Sequence, residues 1–258
     1  MRGLCLLALA AFILLPLVQT VLLSFTVTVP NRPLPPGTVG MMNYAAVFAD
    51  ADLRASIFNS LIYVVLNVGL CLAAGLPAAY AVARFRFLGD RHFLLMMLAF
   101  RVTPPVVLTL PIFILFSRLG LVNSPVGIAL VHCLFNLPIA IWILESFIAA
   151  VPRAFDETAF IDGHSGPSFF FRHLIPAIAP GIGVAAFFCF IFSWVEVVFA
   201  RILTVTAGKP ITMAINAMFG FQTDIGMVMA MTVLSLVPGV AMILFVRRYL
   251  ARGFTLRA

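Results

Sequence analysis

Long apolar stretches dominate this sequence, and the short segments between them carry most of its charges. A helix needs about 20 mostly apolar residues to cross the roughly 30 Å hydrocarbon core of a bilayer. Inside lipid a chain must satisfy its own backbone hydrogen bonds, so such stretches predict an all-α, polytopic membrane protein with six transmembrane helices. The six stretches are Leu4–Val27, Ile57–Val82, Phe93–Phe116, Pro125–Ile148, Ile178–Leu203 and Gly226–Val246.

The composition excludes an ordinary soluble domain. Hydrophobic residues make up 63% of the chain and charged residues only 10%, whereas soluble domains carry roughly 25% charge. The net charge of +7 lies in short arginine clusters between apolar stretches, which is typical of membrane orientation and not of nucleic-acid binding. We predict a single transmembrane domain over residues 1–258, with a first span at 4–27 and a core of five spans at 57–246.

The basic residues predict which loops face the cytoplasm, because short cytoplasmic loops are enriched in Lys and Arg. One set of alternate segments holds ten arginines and the other set holds four or five basic residues. Both termini and the loop at 149–177 are therefore expected in the cytoplasm. The first stretch is expected to stay uncleaved, because it is longer than the apolar core of about 7–15 residues in a signal peptide. The ten arginines are Arg2, Arg84, Arg86, Arg91, Arg153, Arg172, Arg247, Arg248, Arg252 and Arg257.

The loop at 149–177 contains the signals of a short helix. Pro152 suits a helix start, Asp156 and Glu157 suit the first turns, and Gly163 can supply a left-handed stop. Phe155 and Ala159 are four residues apart and are expected to share one face. A helix of about ten residues with an aromatic side chain and acidic neighbours is suited to docking in a groove of another protein. The alternative is an amphipathic helix lying on the membrane, but such helices are usually basic.

A sequence motif in this loop resembles that of the permease subunits of binding-protein-dependent importers. Their pattern is E-A-A, three residues, G, nine residues, then I-x-L-P. This chain has Glu157-Thr158-Ala159, then Gly163, then His173-Leu174-Ile175-Pro176 at the same spacing. It departs from the pattern at Thr158, His173 and Ile175. Further segments resemble the carbohydrate-uptake branch, in the manner of the second maltose-type permease: Asn59-Ser60, Ala79-Tyr80-Ala81, Leu110-Pro111, Leu119-Gly120-Leu121, Phe192-Ser193-Trp194 and Arg252-Gly253-Phe254-Thr255.

This resemblance implies a MetI-like, type I importer permease of a bacterial inner membrane that carries a sugar or a small polyol such as glycerol. It implies a heterodimer with a second permease, two ATPase subunits in the cytoplasm and a substrate-binding protein on the outer face. The implied coupling residues are Phe155, Asp156, Glu157, Thr158, Ala159, Asp162 and Gly163.

The sequence shows no ATP-binding loop of its own. The pattern G-x-x-x-x-G-K-[ST] is absent, and Pro210 follows the only lysine, Lys209. We therefore expect no enzymatic activity and no cofactor in this chain, with ATP and magnesium bound by the partner ATPases.

Polar residues inside the spans are candidates for a substrate pathway, because charges at membrane depth are costly. Arg101 is expected about 12 Å and Glu196 about 22–27 Å from the cytoplasmic ends of their spans, so direct pairing is not expected unless helix tilt or a helix break compensates. Arg101 is expected to have a structural or gating role, and Pro104 and Pro105 offer a break that could line a cavity. The candidate pathway residues are Glu196, Trp194, Asn136, Asn67 and Arg101.

Two other transporter assignments and one enzyme remain as alternatives. A secondary, ion-coupled transporter would show broken helices in two related halves, and no internal symmetry is visible. A permease for glycerol 3-phosphate would favour cationic pathway residues, and the acidic residue Glu196 argues against this alternative. An intramembrane enzyme lacks any catalytic motif.

Overall fold

A computed structural model describes residues 2–26, 39–85, 90–219 and 224–255 of the chain. These residues are almost entirely helical, and their β-structure is limited to one isolated bridge between Thr26 and Val39. The described residues also contain a single π-helical turn, Phe170–Leu174. The helices are α1 Arg2–Ser24, α2 Met42–Ala49, α3 Ala51–Arg84, α4 Asp90–Val102, α5 Pro105–Arg118, α6 Pro125–Ala150, α7 Arg153–Ile161, α8 Gly166–Phe169, α9 Ile175–Ala177, α10 Ala179–Trp194, α11 Val198–Leu203, α12 Ile211–Met218 and α13 Ile225–Thr255.

Four of these helices are long and apolar enough to cross a membrane. The qualifying segments are Cys5–Ser24, Ala51–Arg84, Pro125–Ala150 and Ile225–Arg247. They correspond to the first, second, fourth and sixth predicted spans, although Val27 at the predicted end of the first lies outside the described residues. By length and composition, the described residues thus contain four helices that could span a membrane, or five if a bent pair of helical segments counts as one span.

The third predicted span, Phe93–Phe116, is broken. Helix α4 ends at Val102 and α5 begins at Pro105. Pro104 and Pro105 have no backbone N–H to donate, and a proline disfavours helical geometry in the residue before it. Pro104 accordingly has an extended ψ of 125°. A continuous apolar stretch therefore forms two short helices.

The fifth predicted span, Ile178–Leu203, is also interrupted. Helix α10 ends at Trp194, and three non-helical residues precede α11. At its other end, the segment Gly166–Ala177 joins α10 at a bend of 78°. Pro176 and Pro180 flank this bend, and neither residue can donate a backbone hydrogen bond there. The result is a bent segment followed by a short helix.

The chain divides into two compact units. The first comprises residues 1–60 and 208–240, and the second comprises residues 61–207 and 241–258. Within the first unit, the Asn43 amide donates to the backbone oxygens of Ser24 and Thr26. Ser60 Oγ accepts a hydrogen bond of 2.8 Å from the backbone N–H of Ile211. These hydrogen bonds join α1 to α2 and α3 to α12.

The core of the second unit lies between α6 and α10, with the last turns of α3 packed against it. Ile141, Leu144 and Ile148 of α6 are buried with Ala185 of α10. Gly181 brings the α10 backbone so close to α6 that an added Cβ would lie 2.4 Å from Cγ of Phe147. Both candidate sites described below belong to this unit.

Candidate functional site

The loop at 149–177 contains the predicted short helix. Helix α7 has nine residues and follows Pro152. It ends at Ile161, and Gly163, two residues later, has a φ of 81° in the left-handed region. The backbone N–H of Gly163 donates to Phe160 O, and that of His164 donates to Ala159 O. This pair of bonds is a Schellman motif, which satisfies the last carbonyls of the helix.

One face of α7 packs inward and the other is exposed. Asp156 and Ala159 are buried, with 7% of each residue accessible. Glu157, Thr158 and Asp162 are exposed. Phe155 lies at the edge of the helix and is 38% exposed, and its ring is 6.0 Å from that of Phe169, which belongs to the same buried cluster as Ala159. Beside the exposed acids lie Phe160, which is 46% exposed, and Ile161, which is 85% exposed.

Asp156 differs from the sequence expectation, since it points into the protein instead of towards a partner. Its Oδ2 accepts a hydrogen bond of 2.8 Å from Arg84 Nε, and its Oδ1 accepts one of 2.9 Å from Arg84 Nη2. Arg84 is the last residue of α3. Of the two neighbouring acids, Asp156 therefore faces α3 and Glu157 faces outward.

The loop contains a second polar contact, between His164 and His173. Their ring centroids are 4.4 Å apart, and His164 Nδ1 lies 3.3 Å from Ser168 Oγ. His173 belongs to the π-helical turn Phe170–Leu174, and its Nε2 is buried without a hydrogen-bond partner among the described residues. Such atoms are rare and destabilising in folded proteins.

A cavity of about 210 Å³ lies within the second unit, next to the two helix breaks. It combines one basic, one acidic, one imidazole and one amide side chain with three aromatic rings. The lining residues are Arg101, Pro105, His132, Phe135, Asn136, Phe192, Glu196 and Phe199.

Glu196 occupies the break between α10 and α11 and caps the start of α11. Its Oε1 accepts a hydrogen bond of 2.8 Å from Phe199 N, and its Oε2 accepts one of 3.1 Å from Ala200 N. Its Oε2 also lies 3.3 Å from Nε2 of His132 on α6, and Nδ1 of the same ring is 2.7 Å from Ser193 Oγ. The carboxylate thus joins α6 to α11, and the His132 ring joins both to α10.

Arg101 lies on the opposite break and is bonded to α6. Its Nη1 donates to Phe135 O at 2.6 Å and lies 3.3 Å from Asn136 Oδ1. Its guanidinium carbon is 4.0 Å from the centre of the Phe192 ring, a cation–π contact with α10. These contacts hold the guanidinium at the cavity wall.

The five predicted pathway residues fall into three groups. Arg101, Glu196 and Asn136 line the cavity. Asn67 lies behind the wall, and its buried amide contacts that of Asn136 at 3.0 Å. Trp194 does not line the cavity; it is buried, and its ring stacks on Phe190 at a centroid distance of 5.7 Å.

The depth argument that separated Arg101 from Glu196 does not describe their positions. It assumed two continuous helices, whereas α4 stops one residue after Arg101 and α10 stops two residues before Glu196. Both side chains consequently reach one cavity. Sequence reasoning did not select His132, Phe192 or Phe199 as pathway residues. A polar residue in each of two spans, His132 and Glu196, was the available signal for their contact.

Known proteins resemble this chain along most of its length. The family model described as "Binding-protein-dependent transport system inner membrane component" matches residues 72–255. The trehalose transport system permease protein SugB of Mycobacterium tuberculosis is 29% identical over 250 residues, which cover 95% of this chain and 91% of that protein. The trehalose/maltose transport system permease protein MalG of Thermococcus litoralis is 29% identical over 253 residues, again covering 95% and 91%.

One more relative and one solved structure extend this result. The sulfoquinovosyl glycerol transport system permease protein SmoH of Agrobacterium fabrum is 31% identical over 160 residues, covering 62% of this chain and 56% of that protein. A chain from the crystal structure of a bacterial ABC transporter involved in the import of alginate superposes with a TM-score of 0.78 at 21% identity, covering 96% and 94%. The structural match shows a shared fold.

Proposed function

The chain belongs to the inner membrane components of binding-protein-dependent transport systems, and we propose that it forms one half of an ATP-driven import pore for a carbohydrate. The observation that carries the proposal is the exposed face of α7, where the acids Glu157 and Asp162 lie beside the apolar residues Phe160 and Ile161. That face has the chemistry of a docking surface.

A carbohydrate is the substrate class that similar proteins favour. Three relatives carry names that specify trehalose, maltose or sulfoquinovosyl glycerol transport. The cavity supports the same class, because side chains that form hydrogen bonds stand beside the rings of Phe135, Phe192 and Phe199. Small-molecule sites typically have apolar walls with a few polar groups that fix the orientation of the ligand.

The contacts of the two charged groups in the cavity argue for a neutral substrate. Arg101 is engaged by Phe135 O, Asn136 and the Phe192 ring. The Glu196 carboxylate would repel a phosphate at the same wall. We therefore favour a neutral sugar or polyol over glycerol 3-phosphate as the substrate.

We propose that coupling uses the exposed face of α7, with Glu157, Thr158 and Asp162 contacting the ATPase. Gly163 ends the helix, and Phe155 and Ala159 support it from its edge and its inner face. The assembly would contain a second permease subunit, two ATPase subunits that bind ATP and magnesium, and a substrate-binding protein on the outer side. Both termini of this chain would lie in the cytoplasm, as its arginine distribution predicts.

The test is transport in proteoliposomes that contain this chain with its partner permease, ATPases and binding protein. ATP-dependent uptake of a labelled disaccharide or polyol is expected, with no competition from glycerol 3-phosphate. Glu157→Lys should abolish uptake and co-purification with the ATPases, while the chain still inserts. Asp52→Lys, a charge reversal at an exposed position in the first turn of α3, serves as the control and should leave uptake unchanged. Uptake by the chain alone under a proton or sodium gradient would contradict the proposal and favour a secondary transporter.

A further inference from the structure

The contact between Arg84 and Asp156 joins the loop helix to a long membrane helix. Both guanidinium–carboxylate bonds are short, at 2.8 and 2.9 Å. The two side chains are only 7% and 10% exposed. A bidentate ion pair between a planar guanidinium and a carboxylate fixes the relative orientation of the two side chains as well as their distance.

The loop and α3 share further contacts among the described residues, which are a side-chain hydrogen bond between Tyr80 and Asp156 and several apolar contacts. The Tyr80 ring lies 6.2 Å from that of Phe169 and 5.9 Å from that of Phe170. Ala79 and Ala159 belong to the same buried cluster. Apolar contacts of this kind have no preferred direction, so they allow sliding that the ion pair resists.

Helix α3 leads from this ion pair to the cavity. Seventeen residues separate Arg84 from Asn67, which corresponds to about 25 Å along the helix. The Asn67 amide contacts Asn136 at 3.0 Å, and Asn136 lines the cavity and contacts Arg101. One continuous helix, which contains Pro77, and two polar contacts therefore connect the loop with the cavity wall.

We propose that the Arg84–Asp156 pair is the link that transmits movement of α7 to α3, and through Asn67 and Asn136 to the cavity. Arg84 and Asp156 are then positioning residues for transport, distinct from the residues that contact the ATPase. This inference rests on the proposed coupling role of α7. The inference assigns different functions to two adjacent acids. Glu157 binds the ATPase, and Asp156 transmits the movement of α7 to α3.

The experiment measures sugar uptake per ATP hydrolysed in the complete reconstituted complex. Asp156→Asn keeps the size of the side chain and removes its charge. We expect this variant to retain its ATPases on co-purification while uptake per ATP falls tenfold or more. Arg84→Lys, which keeps the charge but cannot form the bidentate pair, should give an intermediate value of uptake per ATP. A merely structural role would lower the yield of the complex and leave the ratio unchanged.

The exchange variant Arg84→Asp with Asp156→Arg tests the same link where a single substitution prevents folding. Uptake per ATP should be higher in the exchange variant than in Arg84→Asp alone. A wild-type ratio in Asp156→Asn, or no recovery in the exchange variant, would overturn the inference. Normal uptake by Glu157→Lys would instead overturn the proposed docking role, so the two failures are distinguishable.

Discussion

At the scale of single residues, the contacts of Glu196 explain how a carboxylate is retained next to an apolar core. Its two oxygens accept hydrogen bonds from the first turn of α11, where a helix has unsatisfied N–H groups and a positive dipole end. A negative side chain is stabilised in such a position. The sequence identified the acid as unusual, but its partners are backbone groups and a histidine 64 residues away, which local patterns do not reveal.

Substitutions at Glu196 should separate capping from charge. Glu196→Gln keeps an oxygen that can accept a hydrogen bond, whereas Glu196→Ala removes both acceptors. Because a lost helix cap costs about 0.5–2 kcal/mol, Glu196→Ala should lower the apparent melting temperature of the purified protein more than Glu196→Gln does. Thermal unfolding followed at one heating rate measures this. Equal losses in the two variants would show that the charge, which both variants lack, matters more than the cap.

His173 offers a stabilising substitution. Its Nε2 is buried without a hydrogen-bond partner among the described residues, and an unsatisfied buried polar group costs about 1–3 kcal/mol. His173→Ile, which restores the residue of the loop motif, should raise the apparent melting temperature by about 2–4 °C for each kcal/mol recovered. His92→Ile, at an exposed position, is the control. A lower melting temperature in His173→Ile would mean that the imidazole makes a favourable contact.

At the scale of helices, start and stop residues predicted helix bounds better than the length of apolar stretches did. Pro152 and Gly163 correctly predicted the position and length of α7, because a helix start and a left-handed stop depend on neighbouring residues. Apolar length alone did not predict the helix breaks at Pro104–Pro105 and around Glu196. Those breaks form the cavity, so the strongest candidate site lies where the hydropathy pattern was least informative.

The contact between α6 and α10 predicts a sharp difference between two glycines. A Cβ at Gly181 would lie 2.4 Å from Phe147 Cγ, whereas a Cβ at Gly75 would meet its nearest atom at 3.5 Å. Gly181→Ala must therefore separate the two helices or displace Phe147, at a cost of about 1–3 kcal/mol. Gly75→Ala fills ordinary space and serves as the matched control. Thermal unfolding of both variants should show a loss only at Gly181; equal stability would contradict this close packing.

At the scale of the whole molecule, hydropathy was enough to predict a helical membrane protein, and the loop motif was enough to indicate its family. Lipid permits few alternatives to apolar helices, which is why four long helices matched their predicted spans. The cavity was less predictable, because Arg101, His132 and Glu196 meet only through the packing of three segments. The inward orientation of Asp156 was missed for the same reason: its partner, Arg84, lies 72 residues away.

Cysteine labelling tests the central claim, that α7 is a cytoplasmic docking helix, most directly. Glu157→Cys and the exposed Lys209→Cys would be treated with a membrane-impermeant maleimide in oriented vesicles, with and without the ATPase subunits. The background would carry alanine at Cys5, Cys71, Cys133 and Cys189. We predict that Glu157→Cys reacts only from the cytoplasmic side and is protected by the ATPases. Lys209 belongs to the set of segments opposite the ten arginines, which is predicted to face outward, so Lys209→Cys should react only from the outside. Labelling of Glu157→Cys from the outside, or equal labelling with the ATPases present, would contradict the account.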